Sequence, residues 1–149
     1  MENYSSLNTA SKTVDKLKVI SIPIEEGLIS LRGLSPKRLR FEIEYGLERG
    51  STDNSFLFNN NQLSHENSQA AVLVHPPGAI YADVFLPALE NALKDKKKQL
   101  KIVVGHVNPN RVKLLKKLKE IYPNLELISS NPGAKLLKEL WTSPKPLPP

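Results

Sequence analysis

His106 follows directly on a run of β-branched residues, Ile102-Val103-Val104, closed by Gly105. Asn108, Pro109, Asn110 and Arg111 come next, and from Val112 the apolar spacing turns helical. An imidazole at a strand end can ligate a metal or move a proton. Amides and a guanidinium beside a helix N-terminus can instead hold an anion. His75 takes the same place after Ala71-Val72-Leu73-Val74, followed by Pro76-Pro77-Gly78. After Leu125-Glu126-Leu127-Ile128 comes Ser129-Ser130-Asn131-Pro132-Gly133. None of these three loops carries an acidic residue. Ser129 and Ser130 therefore have no acid–base partner in them, and the two histidines have no carboxylate to complete a ligand set. A histidine at a strand end is more often a hydrogen-bonded structural residue than a ligand.

The elements that must position these residues are three consecutive strand–loop–helix units. The first helix spans Ile80 to Lys94, with Ile80, Val84, Leu89 and Leu93 on one stripe. Pro87 lies inside that pattern, so the helix either kinks there or begins its regular part there. The second carries Val112, Leu115 and Leu118, with Ile121 and Tyr122 on the same side. The third is capped by Ser130 or Asn131, has Pro132 in its first turn, and packs Leu136, Leu137, Leu140 and Trp141. Three such units imply parallel strands with right-handed crossovers, which bring the three loops to one sheet edge. His75, His106, Asn108, Asn110, Arg111, Ser130 and Asn131 are expected to gather there as an edge for an anion or a partner.

Antiparallel strands precede these units. Leu17 to Ile24, ending near Pro23, reads as an edge strand, with Gly27 to Leu31 as its hairpin partner. Arg40-Phe41-Glu42-Ile43-Glu44-Tyr45 alternates strictly and predicts one half-buried strand. Gly46 to Asn54 reads as a turn, Ser55 to Phe58 as the returning strand, and Asn59 to Gln69 as a polar loop in which His65 is solvated. Residues 1–16 are polar and read as a flexible segment, 17–141 as the domain, and 142–149 as a Pro-rich extended tail.

The chain has 149 residues and no cysteine, which excludes disulfides, thiolate zinc sites and cysteine nucleophiles. No apolar run reaches membrane-spanning length and no leader pattern is visible, so a soluble, cytoplasmic protein is expected. The net charge of +6 is concentrated: nine Lys and one Arg against one Asp lie between Lys94 and Lys119. Lys96 to Lys98 read as cations at a helix C-terminus, and Lys113, Lys116, Lys117 and Lys119 as a solvated helix face. A nucleic-acid patch is the lesser reading, since the window has no aromatic residue.

The stretch Arg40-Phe41-Glu42-Ile43-Glu44-Tyr45-Gly46-Leu47-Glu48-Arg49-Gly50-Ser51-Thr52-Asp53-Asn54-Ser55-Phe56-Leu57 resembles the strand–turn–strand signature near the start of the flavodiiron proteins, most of all the diflavin type of cyanobacteria. Ile102-Val103-Val104-Gly105-His106 resembles the strand delivering that family's metal motif, His-x-Glu-x-Asp-His, and Asn131-Pro132-Gly133-Ala134 also falls in place. The resemblance covers roughly residues 17 to 141. It implies an α/β fold: the first half of a metallo-β-lactamase-like αββα sandwich, antiparallel hairpins and then three parallel strand–helix units. It also implies a family that reduces dioxygen, in some members nitric oxide, at a diiron site fed by FMN.

Carried over residue by residue, His106 matches the first ligand, and Pro109 a residue often found between the acids. Asn108 stands for the Glu, Asn110 for the Asp and Arg111 for the second His. His75-Pro76-Pro77 replaces a turn that usually carries an acid. Two amides and a guanidinium bring no negative charge to a dication. The first reading is therefore a non-catalytic, metal-free, shortened relative, without diiron or FMN in this chain, acting through binding or pairing. The alternative is one piece of a split or truncated oxidoreductase or hydrolase, active only with its missing half. A basic nucleic-acid module is third. On the half-sandwich reading, the inner sheet face with Phe41, Ile43, Phe56, Phe58, Val72 and Val103 lacks its cover, and self-association or a second chain is expected.

Overall fold

The computed structural model describes residues 16–36, 40–41, 45–46, 50–59, 70–94 and 99–142. Outside them lie most of the N-terminal segment, Glu42 to Glu44, most of the polar loop with His65, Lys96 to Lys98, and the tail from Ser143.

Strand β1 (Lys18–Glu25) pairs antiparallel with β2 (Leu28–Ser35) through a tight turn in which Gly27 takes a φ of 75°. That left-handed position suits a residue without a Cβ. β1 is an edge strand, as Pro23 requires, and its register shifts between Pro23 and Glu25. The alternating stretch from Arg40 is not one strand. Arg40–Phe41 (β3) and Tyr45–Gly46 (β4) pair with each other as a small separate ladder. Alternation marks sheet-like backbone but says nothing about a reversal inside it. The strand beside β2 is β5 (Ser51–Phe58), which begins four residues earlier than the turn reading placed it.

β6 (Ala71–Val74) pairs antiparallel with β5, then β7 (Leu100–Val103) and β8 (Glu126–Ile128) add in parallel. The six-stranded order is β1-β2-β5-β6-β7-β8. The crossovers are a 3₁₀ turn (Ala79–Tyr81) leading into α1 (Ala82–Leu93), then α2 (Pro109–Ile121); α3 (Asn131–Thr142) follows β8. Because β6, β7 and β8 add in one direction, right-handed crossovers place α1 and α2 on the same face. α1 starts before Pro87, so that proline lies within the helix, on its exposed side. Its missing N–H is lost where water can serve the freed carbonyl.

The covered face is read directly from the register. Ile29, Leu57, Leu73, Ile102 and Leu127 stand side by side across five strands. They pack against Tyr81, Phe85 and Leu89 of the first helical unit, Val112, Leu115 and Leu118 of α2, and Leu137 of α3. Gly33 allows this closeness: a Cβ there would stand 2.8 Å from Cε1 of the buried Tyr81 ring. Three stripe residues read as core from the sequence, Ile80, Ile121 and Leu136, are exposed instead. Leu114 and Tyr81 are buried where that reading did not place them. A periodicity finds a face to within one residue either side, and the neighbouring helix decides which flank is covered.

The opposite face carries Ile22, Ser30, Phe56, Val74, Val103 and Ile128 in a single cross-strand row. Phe56 is 38 % exposed, Phe58 46 % and Ile128 45 %.

Candidate functional site

Arg111 sits in the first turn of α2, and helix side chains lean back toward the N-terminus. The helix starts where it does because Asn108 caps it: its Oδ1 accepts the Arg111 backbone N–H at 2.7 Å, and Pro109 fills the first position. The guanidinium is thereby delivered into the loop edge, and Arg111 as a whole is only 6 % exposed. Its Nε–H donates to the carbonyl of Pro76, and Nη1 donates to the carbonyl of His106 at 2.7 Å. Nη2 lies 3.4 Å from Nε2 of His75. One side chain thus ties the loop after β6 to the loop after β7.

His75 is held from both sides. Its backbone N–H donates to Val103, and its carbonyl accepts the Ser55 hydroxyl at 2.7 Å. Those bonds keep it at a φ of 60°, left-handed for a residue with a Cβ. The ring stands 3.9 Å from a carboxylate oxygen of Asp53 on β5. Burial pushes the His75 imidazole below its ordinary value, Arg111 lowers it further, Asp53 opposes and His106 adds a small push down. The neutral ring can then accept from Arg111 through Nε2. Burial also lowers Arg111, and Asp53 opposes it. The guanidinium keeps its charge at any physiological pH.

These groups line a cleft of about 600 Å³, together with Thr52, Asn54, Gly78, Ile80, Tyr81, His106, Asn108 and Asn110. Of the seven edge residues read from the sequence, His75, His106, Asn108, Asn110 and Arg111 meet here. Ser130 and Asn131 stand outside the cleft. Ser130 caps α3, its Oγ accepting the Gly133 N–H at 3.3 Å, and Asn131 begins that helix. β8 lies one strand further out, so its loop serves its own helix. Asp53, Thr52 and Asn54 escaped the sequence reading because they were assigned to a turn. They belong to β5, which neighbours β6.

A second, more apolar groove runs between β8 and α3, lined by Leu127, Ile128, Ala134, Leu137 and Trp141. Lys116 of α2 lies 5.9 Å from the Trp141 ring centre, a cation–π distance. Lys113, Lys117 and Lys119 are exposed, as a solvated helix face requires. Lys119 donates to the carbonyls of Pro123 and Leu125.

No protein-family model matches the chain. It is 39 % identical over 123 residues to diflavin flavoprotein A 6 of Nostoc sp. PCC 7120, covering 83 % of this chain and 20 % of that protein. It is 42 % identical over 101 residues to diflavin flavoprotein A 4 of Synechocystis sp. PCC 6803, covering 68 % and 16 %. Its fold superposes with a TM-score of 0.71 on the metal-soaked Flv1 flavodiiron core from Synechocystis sp. PCC6803, at 36 % identity, covering 83 % and 28 %. The chain is related to the flavodiiron core of the diflavin flavoproteins. Its fold is the mixed α/β arrangement of these metallo-β-lactamase-like cores, antiparallel hairpins followed by parallel strand–helix units. A crystal structure of fragment 1–254 of diflavin flavoprotein A 5 from Nostoc sp. PCC 7120 matches at TM-score 0.71 and 32 % identity, over 85 % of this chain and 46 % of that fragment. The chain spans about a fifth of the length of the curated relatives it matches.

The family's diiron chemistry needs carboxylate and imidazole donors, and this cleft does not fit it. Among the described residues no three His, Cys, Asp or Glu are grouped to hold a metal ion. Arg111, at the position that the resemblance matches to a ligand His, is buried and bonded to two carbonyls.

Two outcomes test the geometry. Arg111→Met leaves the Pro76 and His106 carbonyls without their donor and unties the two loops, so urea unfolding should show a loss of about 2–4 kcal/mol. His75 is neutral in the fold at pH values where the unfolded chain already binds a proton. Stability should therefore fall as pH drops through the ordinary value of 6.5 and level off below the depressed folded value. His75→Asn tolerates the left-handed backbone and should flatten that dependence between pH 7.5 and 5.5, read from urea midpoints.

Proposed function

We propose that this polypeptide is a metal-free, non-catalytic relative of the flavodiiron core that acts through binding and pairing. The observation that carries the reading is the seat of Arg111. A dication and a guanidinium compete for the same space, and the guanidinium is fixed there by hydrogen bonds to Pro76 and His106. Asn108 is likewise engaged as the helix cap. Of the four motif positions, His106 alone retains a ligand's chemistry, and His75 and Asp53 in the same cleft are not grouped with it to hold a metal ion. The test is metal content after loading with ferrous iron or zinc and exhaustive dialysis. Background metal is expected. Stoichiometric metal that vanishes in His106→Ala would overturn the reading.

For the cleft itself we propose a weak anion site at the start of α2. Arg111 has N–H groups beyond those given to carbonyls, and Asn108 and Asn110 line the same wall. Asp53 opposes any anion and keeps the affinity low. In a phosphate titration followed by amide NMR, shifts should centre on residues 106–112 and saturate at millimolar concentration. Asp53→Asn should tighten binding several-fold. Shifts confined to the Lys113, Lys117 and Lys119 face would overturn the assignment.

A further inference from the structure

We propose that the cleft at the start of α2 takes an α-amino acid as its zwitterion, with the carboxylate on Arg111 and the ammonium on Asp53. This names the ligand class of the weak anion site above and rests on that site. The cleft presents both charges. Nη2 of Arg111 lies 3.4 Å from Nε2 of His75, and a carboxylate oxygen of Asp53 lies 3.9 Å from the same nitrogen. The guanidinium and the carboxylate therefore stand apart by no more than those two distances together. They come from different elements, α2 and β5, and both line the cleft.

The charge balance selects the ligand. Among the described residues that line the cleft, the permanent charges are one carboxylate and one guanidinium. A simple anion gains from Arg111 but meets Asp53, and a simple cation meets the reverse. A ligand with both charges on one carbon turns the repulsive group into a partner. In an α-amino acid the ammonium nitrogen and the carboxylate oxygens lie roughly 3 Å apart. Two charge-assisted hydrogen bonds of about 2.8 Å then span the gap in a bent arrangement. Arg111 is already fixed by its bonds to Pro76 and His106, so the site pays little to order it.

The rest of the wall suits the rest of such a ligand. Ile80 is 48 % exposed and lines the cleft beside Gly78 and Tyr81. The Asn110 amide lies against Gly78, where a Cβ would stand 2.6 Å from Nδ2. An aliphatic side chain on the ligand would cover Ile80, which otherwise stands in water. The volume of about 600 Å³ is within the range of small-molecule sites.

Amide NMR on the chain at neutral pH compares L-leucine with isocaproate, which lacks the ammonium, and isoamylamine, which lacks the carboxylate. L-Leucine should shift residues 52–54 and 106–112 together, at several-fold lower concentration than either analogue. That comparison needs no variant, so it decides the matter whether or not Asp53→Asn folds. Asp53→Asn should weaken L-leucine several-fold while tightening phosphate, so one substitution moves the two ligands in opposite directions. L-Leucine binding no tighter than isocaproate, with phosphate still shifting residues 106–112, overturns the zwitterion and leaves the anion site. L-Leucine tightened by Asp53→Asn overturns the ammonium contact and the proposal with it. If neither phosphate nor L-leucine moves residues 106–112, the anion site and this proposal fall together.

Discussion

The loop edge depends on one guanidinium. Arg111 donates to carbonyls on two separate loops and faces the ring of a third residue, His75. A buried cation is costly unless its donors are satisfied, and backbone carbonyls supply partners without bringing an equal charge. Asp53 supplies the compensating charge from the neighbouring strand. This arrangement closes a gap between loops that in a metal protein an ion and its carboxylates would bridge. A dication placed beside this fixed guanidinium would meet repulsion, and Asp53 is the carboxylate of the cleft that opposes it.

Much of this was legible in the sequence, for reasons of range. Ala71–Val74, the strand ending near Val104, and the helices that follow are local patterns, and short βα loops leave little freedom in how they assemble. His75, His106, Asn108, Asn110 and Arg111 follow from such patterns, and they line one cleft. Asp53 was not, since its proximity to His75 comes from β5 lying against β6, a pairing between segments that no periodicity connects. The fate of Ser130 was also hidden. Sequence order put its loop on the shared edge, but strand order put it one position beyond the cleft.

The stretch from Arg40 shows the opposite failure. Alternation of apolar and charged residues predicts sheet-like backbone, and the backbone at both ends is paired. Yet the partners are the two ends of the same stretch, so the strand folds on itself. A period of two predicts extended backbone and does not by itself name the partner strand.

The two faces of the sheet separate the two properties proposed for the chain. Residues facing the helices, such as Leu57, Leu73 and Ile102, are buried within this chain alone. They give the loop edge a rigid base whether or not anything covers the other side. Phe56 and Phe58 alternate with Ser55 and Leu57 on the same strand, so the period of two assigns each residue to one task. A change at Arg111 acts on the loops at the strand ends, while a change at Phe56 acts across the open face. The edge chemistry can therefore be altered without removing the apolar surface.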